Sequence, residues 1–301
     1  MSSTMTREER EHVFDREQRQ RVFVVEWFRV LRRHRPAFAG FIILIILTLI
    51  ALSAPLIAPA DPEAISGRDR LTPMFENPSF PLGTDQLGRD VLSRLIYGTQ
   101  ISMSVGASVV IAATTLGVTI GLVAGYYRRL DNVLMRVMDA LMAFPPVLLA
   151  LGIMAALGAA LLNTIVALSI VYTPHIARVT RSTVLVVRDV DYVMAARAIG
   201  VADARLIFRH IMPNCVGPVI VQATFVFAYA IILEAALSFL GVGTPPETPS
   251  WGNMLDTARQ HMRAIPSLAI FPGVAIMVTV LCLNLLGDGL RDILDPHSYN
   301  K

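Results

Sequence analysis

The chain has 301 residues, of which 54% are hydrophobic and only 16% charged, against roughly 45–50% and about 25% in an ordinary soluble domain, which excludes a soluble monomer. The formal net charge is +3, yet Lys301 is the only lysine among 26 basic residues. A phosphate-binding loop needs an internal lysine beside its glycines and a Schiff-base enzyme a buried one, so both are excluded and any ATP chemistry belongs to another chain.

Residues 1–21 mix charges of both signs with few apolar side chains, a composition that builds no core. Phe23, Trp27, Val30 and Leu31 then recur at helical spacing with Arg29, Arg32 and Arg33 opposite. That pattern fits a helix lying on a membrane surface or a plain positive flank of the first crossing. Residues 37–58 are free of charge and at ~1.5 Å per residue reach the ~30 Å of a bilayer core. The run exceeds the ~7–15 apolar residues of a signal peptide, so it is read as an anchor rather than a cleaved leader.

Four more charge-poor stretches follow, at 101–127, 140–174, 215–241 and 265–287. The second of these is long enough for two crossings joined by a tight turn near 158–163. The expectation is therefore an all-α membrane protein with six transmembrane helices. Its parts are a tail (1–36), a first helix (37–58), an outer loop (59–100), a core of five helices (101–290) and a short tail (291–301). Arginine orients it. The first tail and the loops after the second and fourth helices hold nine, three and six basic residues, while the alternate loops hold four, none and two. Positive charge stays inside, so both termini are expected in the cytoplasm.

Within the apolar stretches, Gly117, Gly121 and Gly125 stand four apart and strip one helix face of side chains. The default meaning is close helix packing, with a substrate path behind that face as the alternative. Glu234 lies within the fifth crossing, near its outer end, which makes it a candidate for the translocation path. Gln222 and Asn284 are expected to bond between helices. Cys215 and Cys282 lie in apolar runs with no CxxC pairing, and the six histidines never fall at the spacing of a helical zinc site. No metal or other cofactor and no catalytic residue is expected.

The loop after the fourth crossing reads as two helices with a corner. Residues 194–199 are helix formers, Gly200 can take the left-handed conformation that ends a helix, Asp203 can cap the next one, and Pro213 stops it. The short helix at 204–212 sets Leu206, Ile207 and Phe208 among Arg205 and Arg209, too apolar for water, and wants a socket on a partner.

At this point the sequence resembles the permease subunits of ATP-binding-cassette importers. Their signature is Glu-Ala-Ala, a glycine four residues after the second alanine, and a proline thirteen further on. Ala195, Ala196, Gly200 and Pro213 occupy those places, with Met194 for the usual Glu, His210 for the usual Ile and Met212 for the usual Leu. Residues 81–94, 234–241 with Trp251-Gly252, and 284–292 with Asp295-Pro296 look like the second permease subunit of dipeptide and oligopeptide importers, a group that also carries nickel and glutathione.

The resemblance implies the type I importer permease fold of a bacterial inner membrane. It implies a heterodimer with a second permease, two ATP-binding subunits and a substrate-binding protein. It makes the segment from Ala195 through Ala196, Arg197, Gly200, Asp203, Arg205, Leu206, Phe208 and Arg209 to Pro213 the coupling helix that docks into an ATPase groove. On the outer face Asp85, Arg89, Asp90 and Trp251 become docking candidates for the binding protein, the alternative for Asp85 and Asp90 being a structural turn. Asp288, Arg291, Asp292 and Asp295 cluster at the inner end of the last helix, where Gly287 and Gly289 are expected to loosen it. Two other classes bound the reading. A secondary transporter would place ionisable residues near the bilayer midplane, where only the off-centre Glu234 is present, and an embedded enzyme would need clustered Asp, His or Ser.

Overall fold

Pro36 stands in the first turn of α1 (Arg35–Ile57), where its missing N–H deprives no carbonyl of a partner. This computed structural model describes residues 34–294, so the expected surface helix around Trp27, the uncored segment 1–21, and Asp295, Pro296 and Lys301 lie outside the described residues. Within that range the architecture is helical throughout, with a lone antiparallel bridge between Thr84 and Asp90.

α2 (Val91–Tyr126) begins ten residues before the expected crossing. Asp90 starts it, its carboxylate accepting the Ser93 N–H at 2.8 Å and the Ser93 hydroxyl at 2.6 Å. α3 (Arg128–Met142) and α4 (Pro146–Leu157) follow, bent by 94° across the Pro145–Pro146 corner. The third expected crossing is therefore not a single straight helix: α4 has 12 residues and at ~1.5 Å each does not alone reach across a ~30 Å bilayer. The tight turn at 158–163 is present, with Gly158 at φ +83° and the Asn163 amide donating to the Leu157 carbonyl at 2.8 Å. α5 (Leu161–Val187), α6 (Asp191–Ala198), α7 (Asp203–Phe239), α8 (Trp251–Arg259) and α9 (Ser267–Leu294) complete the order.

Length and apolarity mark α1, α2, α7 and α9 as able to cross a membrane, and the bent α3–α4 pair makes a fifth span if it counts as one. The remaining expected crossing falls on α5, which carries His175, Arg178 and Arg181. Six is thus one more than length and apolarity support.

The glycine stripe packs helices and opens no path. A Cβ on Gly117 would stand 2.6 Å from the Ile176 Cβ, one on Gly121 2.6 Å from the Ala177 carbonyl oxygen, and one on Gly125 2.6 Å from the Val184 Cβ. The α2 and α5 backbones therefore touch. Gly121→Leu should force them apart at a cost of about 3 kcal/mol or more, read as a lowered melting temperature of the purified chain and a smaller membrane-inserted yield.

Gly287 and Gly289 likewise serve contact, against Thr224 and Phe225 of α7 and against Ala37 of α1, and α9 continues to Leu294 without loosening. Asp288, Arg291 and Asp292 are exposed on its last turns, with Asp292 3.3 Å from the His34 Nε2. Gln222 and Asn284 have no hydrogen-bond partner among the described residues, so the interhelical bonds expected of them do not form.

α7 departs most from expectation. Pro213 does not stop the helix that starts at Asp203, which runs 37 residues to Phe239. The stretch Ile207–Ile211 is wound as a π-helix, and the Met212 N–H donates to the Ile207 carbonyl. Pro213 then sits in the first turn of the α-helix that resumes. The Asn214 side chain, 2.6 Å from the His210 carbonyl, adds a donor at the junction.

Candidate functional site

Two regions bring together the residues singled out in the sequence: the α6–α7 hairpin, and a buried polar assembly at the opposite end of α7.

In the hairpin, Gly200 turns the chain at φ +82°, while its N–H donates to the Arg197 carbonyl at 3.0 Å and the Val201 N–H to the Ala196 carbonyl at 3.2 Å. Asp203 does not cap α7. Ala202 holds the cap position, and the Asp203 carboxylate instead accepts the Tyr126 hydroxyl at 2.6 Å. The Arg197 guanidinium lies 5.3 Å over the Tyr126 ring, and Arg188 donates to the Gly125 carbonyl at 2.5 Å. The hairpin is thereby fastened to the end of α2. Tyr126, missed in the sequence because nothing in it signals a long-range partner, is the hub. Tyr126→Phe should cost about 1 kcal/mol and speed amide hydrogen exchange across residues 199–206 without altering exchange in α5.

Phe208 is 62% exposed, Ile199 82% and Met194 48%, while Leu206 is completely buried among Val193, Ile211 and Cys215. Positions 206 and 208 stand about 200° apart on a helix, so they cannot share a docking face and Leu206 leaves the expected set. Arg205 and Arg209 are exposed beside Phe208, as are Ala195 and Arg197, with Ala196 half-buried and Pro213 exposed at the π–α junction. The outcome is an apolar ridge flanked by arginines, and Ile199, its most exposed member, was not among the expected residues. Beside the base of α7 a groove of about 770 Å3 runs past Pro213, Gly217 and Phe225, with Asn214, Gln222 and Arg291 as its polar groups.

At the other end the docking candidates turn inward. The Asp85 carboxylate accepts the Leu87 N–H at 2.8 Å, the Arg89 N–H at 3.0 Å and the Arg89 Nε at 2.7 Å, while Arg94 donates to the Pro62 carbonyl at 3.0 Å. Gly83 and Gly88 have positive φ, and any Cβ there would strike the Thr72 and Ser66 carbonyls. Asp85, Arg89 and Asp90 are all buried. They hold the loop before α2 in shape and present no contact surface. That loop instead exposes Ile65 and Phe75, the latter at φ 64°.

Trp251 is also fully buried, its ring 2.8 Å from where a Gly98 Cβ would lie and its Nε1 donating to the Leu95 carbonyl at 3.3 Å. Glu234 lies in the same assembly with no exposed surface, which removes it from any open path. Its carboxylate accepts the Ser102 hydroxyl at 3.3 Å and the Ser238 hydroxyl at 2.9 Å.

Comparison with known proteins agrees with this architecture. The pattern of the binding-protein-dependent transport system inner membrane component family matches residues 117–298, and that of the N-terminal transmembrane domain of oligopeptide transport permease C matches residues 23–74. A putative peptide transport system permease protein of Brucella abortus is 50% identical over 273 residues, covering 91% of this chain and 92% of its own. A glutathione transport system permease protein of Pectobacterium atrosepticum is 43% identical over 273 residues, covering 90% and 89%. Among solved structures, a chain of the MetNI methionine ABC transporter in inward-facing conformations superposes with a TM-score of 0.56 at 15% identity, covering 67% of this chain and 97% of that one.

Proposed function

The chain belongs to the family of binding-protein-dependent transport system inner membrane components, and from that membership we propose that it is one of two permease subunits in a peptide importer driven by ATP hydrolysis on separate chains. It pairs with a second, non-identical permease, receives cargo from a binding protein on the outer face, and keeps both termini in the cytoplasm. The observation that carries this reading is the α6–α7 hairpin. Its exposed Phe208, Ile199 and Met194 are too apolar for water, and Phe208 stands on the helix that continues into a membrane-spanning segment while Met194 and Ile199 belong to α6 and the turn packed beside it.

A partner that grips the ridge therefore grips α7. When ATP closes the two ATPases, the hairpins are drawn together and the helices rock between inward- and outward-facing states. ATP binding biases that equilibrium by favouring one state over the other. This chain's own side chains supply the lever and its fastening to α2 through Tyr126 and Asp203, and none performs chemistry. The groove beside Pro213, apolar with Asn214, Gln222 and Arg291 as its polar groups, suits a peptide, whose backbone needs hydrogen-bonding partners and whose side chains vary.

The cargo is read as di- and oligopeptides, supported by the name of the Brucella relative. Glutathione, itself a tripeptide, is the second reading and is favoured by the Pectobacterium relative. The test is co-purification with the neighbouring gene products, followed by uptake of labelled dipeptide into proteoliposomes with the binding protein outside and ATP inside. Uptake that requires ATP, with a second permease and two ATPases in the complex, is the expected result. Competition by glutathione decides between the cargoes. A chain that purifies alone and transports on an ion gradient without ATP would overturn the proposal.

A further inference from the structure

Glu234 receives a one-way chain of hydrogen bonds. The Ser238 hydroxyl has a single proton and gives it to the Glu234 carboxylate at 2.9 Å, so in its 3.0 Å contact with Thr244 it must accept. Thr244 has then spent its own proton, and in its 3.2 Å contact with Ser250 it accepts in turn. The Asn253 side-chain amide also donates to Thr244, at 3.0 Å, and to the Pro245 carbonyl at 2.7 Å, while the Asn253 backbone N–H donates to the Ser250 hydroxyl at 3.2 Å. From the other side the Trp251 N–H reaches the Ser102 hydroxyl at 3.4 Å, and that hydroxyl reaches the second carboxylate oxygen at 3.3 Å.

The hydroxyl protons of Ser102, Ser238, Thr244 and Ser250 thus all run toward one carboxylate. Its members come from α2 (Ser102), α7 (Glu234 and Ser238), the connecting loop (Thr244) and the first turn of α8 (Ser250 to Asn253). All of them are buried. A buried network with each member satisfied has one arrangement and resists shear, because sliding any helix strands several polar groups at once. Gly252 allows the fit, since a Cβ there would lie 2.7 Å from the Ala235 Cα.

From this we infer that Glu234 is a positioning residue that locks α8 and the 240–250 loop onto α7, so that the outer face of the subunit moves as one body with the docking hairpin. α7 has 37 residues, ~55 Å at ~1.5 Å per residue. It carries the Phe208 ridge at one end and the Glu234 lock at the other. Movement imposed by the ATPases at the hairpin then appears at α8, and a load on α8 is felt at the hairpin. The inference rests on the importer reading given above, and its test separates the two.

Cys215 and Cys282 are buried, which leaves a low background for cysteine labelling. In the full complex, maleimide labelling rates are measured at Ala204→Cys on the hairpin and at Gln260→Cys at the end of α8, without nucleotide and after ATP–vanadate trapping. In the otherwise native chain both rates should change several-fold on trapping. With Glu234→Gln, Thr244→Val or Asn253→Ala added, the change at position 204 should persist while that at 260 falls to less than half.

If neither position responds in the native chain, the importer reading fails. If 204 responds and 260 does not, or if 260 still responds in every variant that assembles, the lock is no coupling device and the inference is overturned. If none of the three variants assembles, the cluster is a folding core and the inference is likewise overturned.

Discussion

Phe208→Asp should leave the permease folded and inserted but release the ATP-binding subunits, whereas Leu206→Asp, two residues away, should prevent folding. Phe208 is mostly exposed and Leu206 completely buried, because two residues of helix turn a side chain by about 200°. A carboxylate on the exposed ridge is solvated in the free subunit and costs nothing there. Inside an apolar socket it must shed its water, a penalty of several kcal/mol, enough to weaken the complex by more than a hundredfold. A carboxylate at 206 enters the apolar core that also holds Val193, Ile211 and Cys215 with no partner, and the same penalty falls on the fold. Pull-down of the ATPases, read against membrane yield and melting temperature, separates the two outcomes. Equal loss of ATPase binding by two equally well-folded variants would contradict the assigned faces.

Trp251→Ala should be the most destabilising single truncation at the Glu234 end of α7. The indole is fully buried against Gly98, with Leu95 accepting its N–H, and nothing nearby can fill the space left by an alanine. Emptying such a site costs about 3–5 kcal/mol, while Ser250→Ala, which removes the side-chain cap of α8 and the hydroxyl bonded to Thr244, should cost less, about 2 kcal/mol. Limited proteolysis is expected to cut the 240–250 loop of the Trp251 variant first. A melting temperature close to that of the native chain would show that the pocket collapses around the missing ring.

How far the sequence could be read depends on whether a feature is local. Gly200 announces a turn because a left-handed residue without a Cβ is a local property, and the glycine stripe at 117, 121 and 125 announces a helix contact by its period alone. The Glu-Ala-Ala-like spacing from Ala195 to Pro213 carried the family resemblance for the same reason. What depends on neighbours far along the chain was misread. Leu206 and Phe208 look alike until the core chooses a side. Asp203 pairs with Tyr126 and not with its own helix start. Asp85, Arg89 and Trp251 seemed available for docking because charged and aromatic residues in loops usually are, but Asp85 and Arg89 pair within a loop that closes on itself, and the partners of Trp251 lie on α2, about 150 positions away. Glu234 suggested a path because a lone carboxylate in an apolar run looks unsatisfied, and the serines that satisfy it are more than a hundred positions away in one case and four in the other. Pro213 was read as a stop because the winding just before it cannot be seen in composition.

That winding sets the phase between the two ends of α7. A stretch of π-helix takes in one residue more than an α-helix of the same span, and each residue of α-helix rotates the side chains by about 100°. Ile207–Ile211 therefore fixes the azimuth of everything before it relative to everything after it. Winding the same five residues as regular α-helix would swing the start of α7 about a quarter-turn around the axis and turn the exposed Phe208 face away with it, whereas deleting one residue there would remove the extra one and keep both ends in phase.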